Sequence, residues 1–239
     1  MAHVPRIHVP GRLAPGPLSL DGEQAKRLGT VMRLKPGDAF LVFNGDGHEW
    51  QARVEDSGKN RVTATITELA RQEAAPALQL DLAIGLVRPN RFETALEKCC
   101  EAGADTIRPL VADHTVRGKG DSANRQERWQ RILVEAAEQC GRLTVPQLLE
   151  PLTLQAWLQQ THGPFFFGDA GGRAWNDAAD LVPEHGTLGF AIGPEGGFSD
   201  EEAAAMRAQG GVATRLGPHI LRTESAAIAA TVLVRSVTG

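Results

Sequence analysis

Leu188-Gly189-Phe190-Ala191-Ile192-Gly193-Pro194-Glu195-Gly196-Gly197-Phe198-Ser199-Asp200-Glu201-Glu202 passes from an apolar run through a glycine-rich bend into a helix start. The apolar run is short and bounded by turn residues, as a buried strand is. Three glycines and a proline let the backbone turn sharply and keep side chains out of the way of an approaching molecule. Ser199 and Glu202 form a capping box, in which the serine accepts from the backbone near Glu202 while Glu202 reaches back. Strand, bend and helix make the unit of an α/β layer, and the bend lies at the carboxyl end of the strand, where such sheets take their ligands.

The alternation extends in both directions. Leu78 to Val87 reads as a buried strand, followed by Phe92, Ala95, Leu96, Cys99 and Cys100 at helical spacing and by a terminating Gly103. Thr106 to Val111 and Phe165 to Phe167 read as further strands. A helix is expected from about Asn124 to Arg142, with Trp129, Ile132, Leu133, Ala136, Ala137 and Cys140 on one stripe, and a last helix from Glu224 to Val237. Residues 77–239 are therefore predicted to form an α/β domain with a parallel sheet. The first 72 residues differ. Ala39 to Phe43, the turn Asn44-Gly45-Asp46-Gly47, and the alternating runs His48 to Val54 and Arg61 to Ile66 predict a small all-β barrel or sandwich. Arg71 to Pro76 is taken as the linker.

Composition narrows the classes. At 239 residues, 42% hydrophobic and 23% charged, the chain is neither disordered nor fibrous. No apolar run reaches the roughly 18 residues of a membrane span, and Met1 to Arg6 lacks the apolar core of a secretory signal. Three cysteines (Cys99, Cys100 and Cys140) on apolar stripes read as small core residues in a reduced, cytoplasmic protein. Net charge is +1 over residues 1–75, zero over 76–145 and −5 over 146–239. Any polyanion would have to meet the first two-thirds, so the charge permits RNA binding without demonstrating it.

The common motifs are absent. There is no phosphate loop, dinucleotide fingerprint, nucleophile elbow or zinc-spaced histidine pair. What stands out instead is a second bend, Leu216-Gly217-Pro218-His219-Ile220-Leu221-Arg222-Thr223-Glu224, again between a strand and a helix. Two such bends suggest one shared pocket that holds a small organic cofactor through backbone amides and carbonyls, with no metal.

Taken together, Gly193 to Ser199 and Leu216 to Ala226 strongly resemble the RsmE family, bacterial SPOUT-class enzymes that methylate N3 of a uridine in 16S ribosomal RNA of the small subunit. The resemblance covers nearly the whole chain. Arg91-Phe92-Glu93 with Lys98, Arg128-Trp129, Glu135 to Arg142, and Met32 to Asp38 are similar to further family segments. It implies a trefoil-knotted parallel sheet that binds S-adenosylmethionine, a homodimer built on the knotted domain, and an N-terminal PUA-like β-barrel that binds RNA. Carried over, the cofactor would lie against Gly193, Glu195, Gly196 and Gly197, then Leu216, Gly217, Ile220, Leu221 and Arg222, with Phe167 and Gly168 as the third wall. The chain departs from the family pattern at His8, where an aromatic is usual, and at Asp113-His114-Thr115.

Uridine N3 is a weak nucleophile until its proton leaves, so a proton acceptor or a stabiliser of the neighbouring carbonyl oxygens is needed. Glu224 is the expected acceptor and Arg222 the expected positive partner. Arg6, Arg12, Arg33, Arg88, Arg91, Arg128 and Arg142 are the expected RNA contacts. Two other readings stay open: a knotted methyltransferase acting on another RNA, and a non-catalytic RNA-binding or assembly protein.

Overall fold

The computed structural model describes residues 4–58, 60–115 and 122–238. It divides into two compact units, Met1–Ala75 with Ala137–Thr144, and Pro76–Ala136 with Val145–Gly239.

The first unit contains β1 (Arg6–His8), β2 (Gly16–Asp21), α1 (Gly22–Lys26), β3 (Ala39–Phe43), β4 (His48–Ser57) and β5 (Arg61–Gln72). The expected hairpin is present, with Val42 opposite Trp50. Strand order is β1-β3-β4-β5-β2, antiparallel except for β1 against β3, and β1 and β2 stand at opposite edges. Alternate residues of β5 (Val62, Ala64 and Ile66) face a core completed by Ile7, Leu20, Leu28, Phe40 and Val42. β5 runs to Gln72, paired with His48, so the segment expected as linker begins inside the sheet.

Arg6 is buried in this unit. Its Nε donates to Glu49 Oε1, its Nη1 to the carbonyls of Ala137 (2.6 Å) and Glu138 (3.3 Å), and its Nη2 to the carbonyl of Arg142. The guanidinium also lies 3.7 Å from the Phe43 ring centroid. With every nitrogen engaged, Arg6 ties this unit together, and its expected role as an RNA contact is corrected. His8 is half-buried, 5.3 Å from Phe43 edge to face, with Nε2 3.3 Å from the Asn44 carbonyl. Burial holds its pKa below 6.5, against the opposing pull of the Asn44 carbonyl and the Glu138 charge.

The second unit contains β6 (Leu78–Gly85), α2 (Pro89–Ala102), β7 (Thr106–Val111), most of α3 (Ser122–Cys140), β8 (Gln147–Leu148), β9 (Leu152–Thr153) and α4 (Leu154–Gln160). After these come β10 (Phe165–Ala174), α5 (Trp175–Ala178), β11 (Gly186–Ile192), α6 (Asp200–Ala208), β12 (Val212–Arg215) and α7 (Thr223–Thr238). The sheet runs β12-β10-β11-β6-β7-β8, with β9 also on β7, and every pairing is parallel, as the strand–helix alternation predicts. Such strands are covered on both faces, which explains their continuous apolar runs. Pro89 opens α2, and Gly103, at φ +104°, closes it in the left-handed region.

Cys99 and Cys100 are buried, as expected, and burial pushes the Cys99 thiol up to about 12, opposed by the Thr231 hydroxyl on α7. Such a thiol is inert. Cys140 is exposed instead, because α3 ends there and Gly141 (φ +79°) turns the chain away. Arg235 fastens α7: its Nε and Nη1 donate to the carbonyls of Gly103 and Leu78, both at 2.9 Å, and its Nη2 pairs with Asp105.

Candidate functional site

The exits of β12, β10 and β11 lie side by side, with Phe167 opposite both Ala191 and Ala213. Each strand releases a loop there, and the three loops enclose one cavity of about 690 Å³. The two bends singled out in the sequence are joined directly, since Thr223 Oγ1 donates to the Gly193 carbonyl at 3.0 Å. The third wall extends further than expected. β10 leaves β12 after Gly168 and rejoins it at Arg173, so Asp169, Ala170 and Gly171 loop out against the cavity. Only a glycine can re-enter the ladder, because a Cβ on Gly172 would lie 2.5 Å from the carbonyl carbon of Ala213.

Of the residues expected to hold a cofactor, Phe167, Gly168, Gly193, Glu195 and Gly197 line the cavity from one side. Leu216, Gly217, Ile220, Leu221 and Arg222 line it from the other. At Gly217 no heavy atom lies within 4 Å of where a Cβ would stand, so the space is open to a ligand. Gly196 is the exception and does not line the cavity. A Cβ there would meet His114 at 2.8 Å, so His114 fills the space where a side chain would stand. His114 Nδ1 donates to the carbonyls of Gly196 (3.0 Å) and Gly197 (3.2 Å), Ser199 Oγ donates to Asp113 at 2.8 Å, and Asp113 N–H donates to Glu202 at 2.9 Å. The departure at Asp113-His114-Thr115 thus clips the outside of the glycine bend. The capping box itself is present, with Ser199 N–H to Glu202 Oε2 at 2.9 Å and the return bond at 3.2 Å.

Arg222 is exposed on the cavity wall, whereas Glu224 stands outside the lining. Its Oε1 is 3.9 Å from Arg91 Nε, and its Oε2 is buried without a hydrogen bond among the described residues. Arg91, expected as an RNA contact, lines the cavity and pairs with Glu195. The helix start at Pro89 aims it there, which gives it a place at the cavity beside the expected one. Arg88 caps α2 in an exposed position, and exposed Arg128 donates to Glu93 at 2.7 Å. In the first unit Arg12 and Arg33 are exposed, Arg33 at φ +57°, while half-buried Arg142 donates from Nε to Thr144.

Sequence reasoning missed the ion pair of Arg207 with Asp169 at the cavity, where Arg207 also lies 5.4 Å from the Phe167 centroid. Asp169 could have been found as the first charged residue past an apolar strand. Arg207 gave no signal, because it reads as an ordinary basic residue in a helix's last turn. Together the walls offer backbone polar groups, apolar Phe167, Ile192 and Leu221, and both signs of charge. That suits a cofactor of nucleoside size with polar ends. Among the described residues no three His, Cys, Asp or Glu side chains are grouped to hold a metal ion, and no helix is long and apolar enough to cross a membrane.

Comparison with known proteins agrees. Residues 74–235 match a family described as RNA methyltransferase domain, and residues 20–67 one described as RNA methyltransferase PUA domain. The ribosomal RNA small subunit methyltransferase E of Synechocystis is 32% identical over 92% of this chain and 73% of that protein. A Legionella pneumophila protein solved with the cofactor SAM bound superposes with a TM-score of 0.90 at 32% identity, covering 100% of this chain and 99% of that one. A ribosomal RNA small subunit methyltransferase E from Neisseria gonorrhoeae, bound to S-adenosyl methionine, superposes at 0.87 with 28% identity, over 99% of both chains.

Proposed function

We propose, because the chain belongs to the ribosomal RNA small subunit methyltransferase E family, that it methylates N3 of a uridine in small-subunit ribosomal RNA with S-adenosylmethionine as donor. The observation that carries this reading is the single cavity enclosed by both glycine-rich bends, joined through Thr223 and Gly193. When bound, the donor supplies a methyl group on a sulfonium, open to in-line displacement. The chain's own work is to hold and align. The backbone at Gly193, Glu195, Gly197, Leu216, Ile220 and Leu221 grips the donor, and the gap at Gly217 admits it. Phe167, Ile192 and Leu221 exclude water. Arg222 stabilises negative charge on the uracil oxygens as the N3 proton leaves. Glu224, whose Oε1 lies 3.9 Å from Arg91 at the cavity wall, is the acceptor for that proton, and Arg91 positions the Glu224 and Glu195 carboxylates.

The carboxyl-terminal part forms a trefoil knot. What supports it is that β12 lies outside β10, whereas α7 packs back against β6, β11 and α2, so the chain recrosses the strands it has passed. A homodimer on this domain is supported by Val232 and Val237, large apolar side chains left about half exposed on α7. Arg12, Arg33, Arg88 and Arg128 contact phosphates, with Arg142 beside them in role, which makes RNA binding steeply salt-dependent. A ribosomal substrate sets the protein in the cytoplasm.

The test is transfer of labelled methyl to small subunits from cells lacking the gene, with mass mapping of the 16S RNA. An N3-methyluridine at one position is expected. Label in transfer RNA alone overturns the substrate, and calorimetry without donor binding overturns the enzyme. Glu224→Gln should lower turnover while sparing donor affinity; unchanged turnover removes Glu224 from the chemistry.

A further inference from the structure

Five arginines and no lysine follow residue 145, in a stretch that carries ten carboxylates. Two of the five are spent inside the fold, Arg207 on Asp169 and Arg235 on Asp105. The other three, Arg173, Arg215 and Arg222, are exposed and gather around the exit of β12, the outermost strand of its sheet. Among the described residues none of these three side chains has a hydrogen bond or an ion pair.

Arg215 ends β12 and lines the cavity, and Arg222 lines it from the bend that follows. On the adjacent strand β10, Arg173 stands opposite Thr214 and Ala174 opposite Arg215. A strand spacing of about 4.8 Å and a rise of about 3.3 Å per residue set the Arg173 and Arg215 backbones about 6 Å apart. Successive side chains alternate between faces, so the two arginines straddle the edge of the sheet, with Arg215 on the cavity side.

Unneutralised cations held this close repel one another, although carboxylates outnumber arginines two to one in this stretch. The methyl donor does not account for them. It carries a sulfonium and an ammonium against one carboxylate, so its own net charge is positive. The carboxylates of the cavity are answered elsewhere: Asp169 pairs with Arg207, Glu195 pairs with Arg91, and Asp200 opens α6, where the helix dipole favours it. A cationic edge beside the cavity therefore suits a polyanion that meets the filled site.

We propose that Arg215 and Arg173 seat the RNA backbone at the reaction centre, each on one of two successive phosphates flanking the target uridine. This rests on the RNA methylation proposed above, in which Arg222 of the same bend meets the uracil. Guanidinium forks match phosphate oxygens two at a time, and such contacts fix register without reading sequence. The acidic last third, a poor RNA surface by net charge, thus carries the contacts that place the nucleotide.

The test reads binding without turnover. The full chain, held in excess S-adenosylhomocysteine, is titrated into a fluorescent uridine oligonucleotide of about twelve nucleotides at salt from about 0.05 to 0.2 M. Each single-strand phosphate contact contributes about 0.7 to the slope of log affinity against log salt. Arg215→Gln and Arg173→Gln should each lower that slope by about 0.7, and the double change by about 1.4. Arg215→Lys keeps the charge and should restore the slope, which a merely structural role would not require. Both side chains are exposed, so the variants should fold as the wild type does, and calorimetry should give them its affinity for S-adenosylhomocysteine. An unchanged slope in both glutamine variants overturns the proposal, as does a wild-type chain that does not bind the oligonucleotide. Loss of S-adenosylhomocysteine affinity in Arg215→Gln also overturns it, by making the arginine a donor contact. A slope altered in one variant alone overturns the assignment of the other residue. Absence of methylation in every RNA defeats the enzyme reading and leaves the slopes to decide this one.

Discussion

Replacing Arg6 by Met keeps most of the aliphatic stem and removes the guanidinium. The change strips Glu49, a carboxylate only 5% exposed, of its closest partner and takes the guanidinium's bonds from three backbone carbonyls. Removing one member of a buried ion pair costs about 3–5 kcal/mol. Arg71 remains 3.5 Å from the other Glu49 oxygen and offsets part of this, so the lower end, about 3 kcal/mol, is expected. For a unit of this size that corresponds to a fall of about 12 °C or more in its melting transition. Urea unfolding followed by circular dichroism measures it directly. The double change Arg6→Met with Glu49→Leu should recover most of the loss, because no unpaired charge then stays buried. RNA affinity of the folded fraction should not change. If Arg6→Met keeps full stability and loses RNA binding, the buried-clamp reasoning is refuted and Arg6 is the contact that its sequence position suggested.

Three further outcomes follow from the geometry. Gly217→Val should leave stability within about 0.5 kcal/mol, since its Cβ meets no atom, yet weaken donor binding about 100-fold by calorimetry; wild-type affinity would mean that the donor lies elsewhere. Arg91→Met should cut turnover by about 10–100-fold with RNA affinity intact, whereas a loss confined to RNA affinity would restore it as a phosphate contact. His8, with its pKa below 6.5, binds fewer protons folded than unfolded, so its contribution is complete above pH 6.5 and is lost as pH falls towards the folded value. His8→Phe should therefore flatten the acid side of the melting-temperature profile, and an unchanged slope would refute the burial argument.

The strand–helix alternation was legible because parallel strands and their covering helices are apolar over whole runs, and Leu78 to Gly85 and Phe92 to Cys100 display the two periods plainly. The capping box at Ser199 was legible because it is a local contract between residues three apart. β8, β9 and α4 escaped notice, being too short for periodicity to reveal. The cavity's glycine bends could be read from composition, but their companions could not. Arg6 and Arg91 look alike in sequence, two arginines in basic stretches. One is buried because Glu49, 43 residues away, neutralises it, and the other is drawn to the cavity by Glu195, 104 residues away. The clip on Gly196 could not be read either, as its neighbour His114 comes from a distant strand exit.

The central strand β6 pairs with β11 from Leu78 to Ile84, setting Leu78 opposite Gly186, and α7 reaches back to Gly103 through Arg235. Contacts between such remote stretches form slowly, because loop closure must precede any reward. The donor cavity draws on the last-arriving segments, so capture of the donor marks the end of maturation and not its beginning. A chain caught halfway, before the loops after β10, β11 and β12 have met, is chemically silent: it has nowhere to hold a methyl donor.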